Sequence, residues 1–282
     1  MLIRLQAKMK FTFFKPIAEL KPYIGSIWVF ESSVGMQPSD SSLAAPNGCC
    51  KIIINCGNSI ISSVEGYIWK SNEHGIYFIG NRNVPVHIST PKRKTVFIGI
   101  EFYPFGAYPV MGIPMVETAN RSFHFEVILE KWGRSVNETL CDLRNVEEKV
   151  DYIQQKLIEI KIKRQLKNPL VEYCVNSLKS TNGLMSISEL QHKTGYSRRY
   201  LEILFKNHIG LSLKTLGNIF RFQKFYRDWA NGQPYEKIMD ELYNYYHDQA
   251  HFTKEFKKMT GFSPRHFSRE ITNEFGKQLT LH

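Results

Sequence analysis

Three lysines and several hydrogen-bonding side chains follow one another at helical spacing between Asp248 and Pro264, where the sequence reads DQAHFTKEFKKMTGFSP. Lysine ammonium groups bind phosphate oxygens, and glutamine, histidine and threonine side chains can reach the polar edges of bases. This is a chemistry of contact with nucleic acid rather than of catalysis. The candidate contact residues of this stretch are Gln249, His251, Thr253, Lys254, Lys257, Lys258 and Arg265.

A short amphipathic helix must position these side chains. Asp248 is a good N-cap, because its carboxylate can accept hydrogen bonds from the free amides of a first helical turn. Phe252, Phe256 and Met259 follow at helical spacing and give the helix one apolar face opposite the lysines. Gly261 can end the helix, and we expect Pro264 to prevent its restart. An ordinary surface helix with a solvated basic face has the same pattern, so this helix alone does not distinguish the two readings.

A similar unit lies earlier in the chain, between Ile187 and Ser212. A helix that starts at Ser186 or Ser188 ends at Thr194, Gly195 permits a left-handed turn, and Ser197 can cap the next helix. The apolar side of that next helix consists of Leu201, Leu204, Phe205 and Ile209. Its opposite side offers arginines, which can bind guanine in a bidentate manner, and a glutamate, which can accept from cytosine. The candidate contact residues here are Arg198, Arg199, Glu202 and Lys206.

The basic residues are concentrated in the C-terminal part of the chain. The formal net charge is +11; residues 161–282 contain 20 Lys and Arg against 11 Asp and Glu, whereas residues 1–160 contain 17 against 15. This asymmetry is typical of nucleic-acid binding, in which counterion release from phosphates supplies affinity. An anionic membrane surface would attract the same charge, but no lipid anchor or long basic amphipathic helix accompanies it.

The apolar runs are all too short to span a membrane. The N-terminal residues MLIRLQAKMK are interrupted by charge and lack the core of a signal peptide. We therefore predict no membrane association and a cytoplasmic location.

The N-terminal part reads as β-structure, because short runs rich in Ile, Val, Phe and Tyr alternate with Gly, Asn, Pro and Ser. Six or more such strands favour a small β-barrel or sandwich over a βαβ fold. The predicted strands cover residues 23–31, 51–55, 59–64, 76–79, 84–89 and 95–102. Five aromatic residues of this half could line a pocket, although packing in the core is the preferred interpretation; they are Trp28, Tyr67, Trp69, Tyr77 and Phe78.

The sequence predicts no cofactor and no metal. His74, His87 and His124 do not cluster as the ligands of a metal-dependent barrel enzyme would. Neither GxGxxG nor a P-loop occurs. The cysteines have no CxxC spacing, which argues against a zinc site or a disulfide framework and favours small apolar residues in a reducing compartment; they are Cys49, Cys50, Cys56, Cys141 and Cys174.

From about Thr118 onwards the pattern is helical. It predicts helices over residues 125–132, 136–143 and 146–166, and Asn168 followed by Pro169 then breaks the last of them. This break divides the chain into a β-rich domain with a helical extension (1–166) and an all-α domain (167–282). The fold class is therefore α+β. The three linking helices could form a dimerisation face or only a bracket between the domains, and a homodimer is expected because C2 dimers are the commonest oligomers.

The two C-terminal blocks, ISELQHKTGYSRRYLEILFKNHIGLS and IMDELYNYYHDQAHFTKEFKKMTGFSP, have the same order of features. Each contains a helix, a Gly or Asn turn, a capped helix, the pair FK, and then Gly and Ser. This doubled helix-turn-helix resembles the DNA-binding domain of the AraC/XylS family of bacterial transcription regulators. The second block carries the family signature DQAHFxxEFKxxxGxSP, GYSxxxLxxxFK supports it in the first, and the resemblance covers residues 168–269.

Two departures from the family pattern limit what can be transferred. Asn244 stands where the second turn usually has Gly, and Asn tolerates a positive φ better than most residues. Ile203 stands where relatives often have Arg; it can touch a thymine methyl but cannot hydrogen-bond a base. The DNA sequences that relatives bind are therefore not carried over to this chain.

The N-terminal half is similar to a sensor domain of some of these regulators, on the residues PNGCCKIIINCG (46–57), FIGNR (78–82) and IGIEFYPFGAYPVMGIP (98–114). The resemblance implies a small cupin-like β-barrel whose ligand it does not identify. For the whole chain it implies a sequence-specific transcriptional regulator and not an enzyme, with an activating role. Its recognition helices would enter successive major grooves of double-stranded DNA, and its other partners would be a small-molecule effector and RNA polymerase.

Two other readings stay open at this point. One is an architectural DNA binder without sequence preference. The other is an enzyme, either a barrel hydrolase or isomerase, or a DNA-repair methyl acceptor that uses a cysteine such as Cys49 or Cys50.

Overall fold

The structure, a computed structural model, describes residues 9–36, 42–128, 130–163, 166–242, 245–246, 248–271 and 273–281. The turn predicted at Asn244 lies outside these residues. The described part of the chain contains a β-sandwich, a layer of helices on one face of it, and a C-terminal helical domain. No helix among the described residues combines the length and the apolar character that crossing a membrane would require.

Two antiparallel sheets form the sandwich. The larger sheet has the order β1-β2-β9-β4-β7-β10 and the smaller one β3-β8-β5-β6. The strands are β1 (Met9–Phe14), β2 (Ile24–Ser32), β3 (Leu43–Ala44), β4 (Lys51–Cys56), β5 (Ile61–Val64), β6 (Tyr67–Lys70), β7 (His74–Ile79), β8 (Val86–Ser89), β9 (Thr95–Phe102) and β10 (Ser122–His124). The sandwich that the sequence predicts is confirmed.

The larger sheet is covered on both faces, which explains the nearly continuous apolar runs of its central strands. In β2, Ile27 and Val29 belong to a core shared with the helical layer, whereas Trp28 and Phe30 belong to a second core between the two sheets. Successive side chains of a strand point to opposite faces, so both sets must be apolar. The core between the sheets is the one that encloses a cavity, described below.

The N-terminal residues that the structure describes also form four helices and a short 3-10 helix (Met115–Glu117). The helices are α1 (Ala107–Met111), α2 (Phe125–Ile128), α3 (Glu130–Asp142) and α4 (Val146–Lys163). Val150, Ile153 and Leu157 of α4 are buried in the core with the outer face of the larger sheet. Gln154 Oε1 accepts a hydrogen bond from the backbone N of Ile17 at 2.9 Å, which ties α4 to the chain before β2.

The C-terminal domain consists of eight helices among the described residues. They are α5 (Pro169–Ser180), α6 (Ile187–Thr194), α7 (Arg198–Ile209), α8 (Leu213–Ala230), α9 (Tyr235–Leu242), α10 (Gln249–Thr260), α11 (Pro264–Glu270) and α12 (Glu274–Leu281). Asn168 caps α5 through its side-chain oxygen, and Pro169 is the first residue of that helix, so the predicted break is also a helix start.

One prediction about a helix start was wrong, and several elements were missed. Pro264 does not prevent a restart: it is the first residue of α11, capped by Ser263, because proline is tolerated where no intrahelical N–H bond is needed. The helix predicted over 125–132 coincides with α2 and the first residues of α3, and residue 129 between them lies outside the described part of the chain. The sequence analysis also missed β1, β3, β6, β10 and α12.

The two parts of the chain share a core. Leu43 of β3 is buried with residues of the helical domain, and Ala45 and Phe105 pack against the same group. Gln223 of α8 donates from Nε2 to the carbonyl oxygen of Pro46 at 2.6 Å. The helical domain is therefore docked on the sandwich.

Candidate functional site

The first helix-turn-helix unit consists of α6, a turn at Gly195 and α7. Ser186 and Glu189 form a reciprocal capping box at the start of α6. Gly195 has φ +74°, a left-handed conformation that costs glycine no side-chain clash. Ser197 then caps α7 by accepting a hydrogen bond from the amide of Tyr200 at 3.3 Å. The sequence therefore fixes where α7 begins and the direction in which it leaves the turn.

The two sides of α7 differ as predicted. Leu201, Phe205 and Ile209 are buried and Leu204 is half-buried, so this side packs into the core. The opposite side is open: Arg198, Arg199, Ile203 and Lys206 are exposed, and Glu202 is half-buried. The structure thus brings all four predicted contact residues of the first unit to one free helix surface.

The second unit presents α10 in the same way. The Oδ1 atom of Asp248 accepts from the amide of His251 at 2.6 Å, which caps the helix. Gly261, with φ +83°, ends it. Phe252, Phe256 and Met259 are buried, as the sequence predicts.

The predicted contact residues of the second unit differ in exposure. The exposed ones are Gln249, Lys254, Lys257, Lys258 and Arg265. Thr253 is half-buried. His251 is also half-buried, with its ring 5.6 Å from that of Tyr246, and its Nδ1 atom is buried without a hydrogen-bond partner. The side chain of His251 is therefore less accessible to a ligand than the side chains of the lysines are.

The long helix α8 joins the two units. Asn218 of α8 donates to Oε2 of Glu255 in α10 at 2.9 Å, and the guanidinium of Arg221 lies 5.3 Å from the ring centre of Tyr246. Phe225 of α8 is buried against α10. The position of the second unit is thus set by polar and aromatic contacts with a single rigid element.

The first unit is also held by the N-terminal part. The ring of His208 lies 4.3 Å from that of Tyr108, and burial lowers the pKa of this histidine. The backbone at Gly210, with φ +82°, passes so close to the carbonyl of Met115 that a Cβ there would lie 2.6 Å from the oxygen. The C-terminal end of α7 is therefore docked, while its N-terminal turn, which carries the arginines, is free.

A cavity of about 120 Å³ lies between the two sheets of the sandwich. Its wall is largely apolar and aromatic, with Trp28, Trp69, Tyr77 and Phe97 among the lining residues. The preferred interpretation of the aromatic residues as core holds for Trp28 and Tyr77, which are 3% and 1% exposed and line the cavity as well, whereas Trp69 is only half-buried. It also holds for Phe78, which is fully buried in the other core, whereas Tyr67 is 83% exposed.

The cavity wall contains two cationic side chains and two residues from the C-terminal helix. Lys51 is paired with Glu101 at 3.1 Å. Arg82 donates to the carbonyl of Asn120 at 3.1 Å, and burial lowers its pKa. The C-terminal residues are Phe275 and Leu279 of α12. The sequence analysis did not select Arg82, Phe275 or Leu279, because nothing in their local pattern indicates which side chains a distant sheet will meet.

The cysteines are all free. Cys50 and Cys174 are buried, Cys49 and Cys56 are half-buried and Cys141 is exposed, so the expectation of small buried residues holds for only part of the set. Burial raises the pKa of the Cys50 thiol to about 12 and that of Cys49 further still. Among the described residues no cluster of His, Cys, Asp and Glu could hold a metal ion.

Two family models match the chain. Residues 190–270 match a helix-turn-helix domain, which contains both recognition units from the end of α6 to α11. Residues 12–124 match a domain of unknown function (DUF6597), which coincides with the sandwich. The C-terminal domain is thus of the helix-turn-helix class.

One curated relative is the F1 operon positive regulatory protein of Yersinia pestis, which is 31% identical over 108 residues. The match covers 38% of this chain and 34% of that protein, so the chain spans about a third of the relative's length. The helix-turn-helix match over residues 190–270 agrees with the doubled helix-turn-helix on which the resemblance in the sequence rests.

The solved structures that the chain matches have low sequence identity. ToxT from Vibrio cholerae is 11% identical, with 94% of this chain and 99% of that chain covered and a TM-score of 0.47. The cupin domain of Cnp3 from Schizosaccharomyces pombe is 13% identical, with 33% and 64% covered and a TM-score of 0.26.

Proposed function

We propose that the protein is a sequence-specific DNA-binding transcriptional regulator whose helices α7 and α10 enter successive segments of the major groove. One observation carries this proposal. Two capped helices of 12 residues each bury one apolar side and leave a polar, basic side open, and both are fixed to the same connecting helix. An 18-residue helix such as α8 is about 27 Å long, of the same order as the roughly 34 Å of one DNA turn.

The exposed residues divide into two roles by chemistry. Arg199 and Glu202 are proposed to read base edges in the first unit, with Arg198 and Lys206 on bases or phosphates. In the second unit the proposed contacts to base or phosphate are Gln249, His251, Thr253 and Lys254. Lys257, Lys258 and Arg265 would hold the DNA backbone, which gives affinity without sequence preference.

The cavity between the sheets is proposed to be the effector site. An effector changes DNA binding only if it has different affinities for two states of the protein, and the docked interface between sandwich and helical domain offers two such states. We propose that the boundary between the β-rich domain and the all-α domain lies between residues 166 and 167. We further propose that the regulator activates transcription, acts as a homodimer together with RNA polymerase, and works in the cytoplasm, where bacterial DNA lies.

A genomic footprint of the full chain tests the proposal. Protected sites should contain two boxes separated by about one helical turn, or by a shorter distance if the DNA bends. Uniform binding without a common motif would favour the architectural alternative. Competition between a recovered site and random DNA at fixed salt then gives the specificity ratio.

The methyl-acceptor alternative receives no support from the cysteines. A nucleophilic cysteine reacts as the thiolate, and burial that raises the pKa of Cys49 and Cys50 keeps both thiols protonated. A methylated DNA substrate that transferred its methyl group to either thiol would contradict this reading.

A further inference from the structure

The last helix of the chain closes one side of the cavity. Phe275 of α12 is 2% exposed, and its ring lies 5.5 Å from the rings of Phe11 and Phe30 and 6.2 Å from that of Phe97. These three partners belong to β1, β2 and β9 of the larger sheet. A segment that follows the DNA-binding helices in the chain therefore fills space inside the N-terminal sandwich.

One buried side chain anchors this helix to both parts of the molecule. Asn273 accepts at Oδ1 from the amide of Leu43 at 2.8 Å and donates from Nδ2 to the carbonyl of Leu43 at 2.9 Å. The same Nδ2 donates to the hydroxyl of Tyr226 in α8 at 2.6 Å. The Nζ atom of Lys277 lies 4.8 Å from the ring centre of Trp229, also in α8. Release of α12 from the sandwich would therefore loosen the link between β3 and α8.

The size of the cavity limits what can enter while α12 is in place. Its volume is about 120 Å³, and an apolar cavity of about 150 Å³ holds one benzene molecule. With Phe275 and Leu279 in the wall there is thus room for about a single ring. A larger apolar ligand that stays between the sheets needs the space that these two side chains occupy.

The far side of the cavity has a guanidinium without an acidic partner. Arg82 donates from Nη2 to Oγ of Ser122 at 2.7 Å, but its Nε atom is buried without a hydrogen-bond partner. Among the described residues no carboxylate forms a salt bridge with it, whereas Lys51 is already paired with Glu101. Ser122 lies on β10, the edge strand opposite β1, so Arg82 and Phe275 lie towards opposite edges of the larger sheet. Arg82 is half-buried, and an anionic ligand group would give its guanidinium the charge-assisted hydrogen bonds that no described carboxylate supplies.

We propose that the cavity binds an aromatic acid of two or more rings, whose anionic group pairs with Arg82 and whose rings displace Phe275 and Leu279, so that α12 leaves the sandwich. The proposal rests on the function proposed above, because it takes the cavity as the effector site, and it names the ligand class and the moving element. Binding favours the state with α12 released, because only that state accommodates the rings. Trp28, Trp69, Tyr77 and Phe97 provide faces and edges for them.

The test uses the full chain, with 2-naphthoate and 1-anilinonaphthalene-8-sulfonate as probes. Leu279→Ala should bind both at least tenfold more tightly than the unaltered protein, because less of the cavity has to be vacated. Leu281→Ala is the matched control, since Leu281 is on the same helix but is 41% exposed and outside the cavity wall. Arg82→Met should weaken 2-naphthoate about tenfold and leave the uncharged analogue 2-naphthalenemethanol nearly unchanged.

A second variant acts on docking without removing cavity wall. In Gly276→Ala the new Cβ would lie 2.2 Å from Nδ2 of Asn273 and 2.6 Å from the carbonyl oxygen of Leu43, so α12 should undock. This variant should also bind both probes more tightly, and the remainder of the chain should still unfold in one cooperative transition. Tighter binding that merely follows a loss of the cooperative unfolding transition would count against the proposal.

Hydrogen exchange measures the displacement directly. Saturating 2-naphthoate should accelerate exchange in residues 274–281 at least tenfold and leave α4 unchanged. Binding without faster exchange in α12, or no probe binding to either the unaltered protein or Leu279→Ala, overturns the proposal. DNA footprinting tests the two proposals separately. Binding to DNA without sequence preference would refute the proposed function as a regulator, whereas a helix α12 that stays in place would refute only the inference about the ligand.

Discussion

The side-chain amide of Asn81 donates a hydrogen bond from Nδ2 to the main-chain carbonyl of Ile209 at 2.7 Å, and Asn81 is fully buried. Asn81 follows β7 of the sandwich, and Ile209 is the last residue of α7. The last carbonyls of a helix have no partner within the helix, so an outside donor is needed when they are buried. Gly210 ends α7, and a residue of the N-terminal half satisfies the last carbonyl of that helix.

Asn81→Ala should therefore destabilise the docked protein. The substitution leaves the buried carbonyl of Ile209 without its donor, which costs about 1–3 kcal/mol. Denaturant unfolding measures the loss, with Asn207→Ala as the control because Asn207 is an exposed amide on the same helix. Equal midpoints for the two variants would show that the contact contributes nothing.

Arg199→Ala should reduce specific DNA binding by about 1–3 kcal/mol and blur the preference at one base position. The reason is that a bidentate contact to guanine is lost, while the phosphate contacts remain. Affinity for a specific site and for random DNA is measured at the same salt concentration. Losses of the same size on both would refute a base-reading role for this arginine.

Lys258→Ala should weaken all DNA sequences alike and lower the slope of log affinity against log salt by about 1, because one phosphate contact is removed. Lys15→Ala removes the same charge from an exposed position in the N-terminal half and is the matched control. If both variants change the slope equally, net charge and not contact explains the effect.

The free energy of unfolding should decrease at acidic pH because His208 is packed in the folded protein in its neutral form. Burial lowers the pKa of His208 in the folded protein below its ordinary value of 6.5, so the unfolded chain takes up the proton first. The stabilising contribution of the neutral ring is complete above about pH 6.5 and is lost as the pH falls below it. The stability difference between the unaltered protein and His208→Gln should therefore shrink between about pH 7 and pH 5. A difference that stays constant over this range would contradict the assignment.

Gly48→Ala should destabilise the interface between the sandwich and α8. Gly48 has φ +79°, and a Cβ there would lie 2.6 Å from Cδ1 of Leu216. The left-handed backbone alone costs a residue other than glycine about 1–2 kcal/mol, and the contact with α8 adds to this. Gly57→Ala is the comparison, since a Cβ at Gly57 meets no atom within 4 Å. An unfolding midpoint for Gly48→Ala as high as that for Gly57→Ala would show that the interface can adjust.

Local patterns predicted the recognition units well because caps and glycine turns act over a few residues. Ser197 and Asp248 start their helices where predicted, and the strand expected over 95–102 coincides with β9. Amphipathic spacing also gave the correct exposed sides of α7 and α10. These features depend on neighbours in the sequence, which a single sequence displays.

The missed features depend on residues far apart in the chain. Strand β3 has only two residues, and its partner is β8, so no run of apolar residues indicates it. The helix that starts at Pro264 was excluded by a rule that holds for helix interiors and not for first turns. The role of Phe275 follows from its contacts with Phe11, Phe30 and Phe97, which are 178 or more positions away in the chain, and periodicity cannot show such contacts.

The anchoring of the final helix by Asn273 has a consequence for the construction of hybrid regulators. A chimaera that joins a foreign sensor half to residues 167–282 would contain α12, the C-terminal tail, without the sandwich against which α12 packs. The foreign sandwich would in turn lack the helix that fills its own cavity. Exchange of sensor halves between relatives should therefore succeed only when the tail travels with the sandwich that holds it.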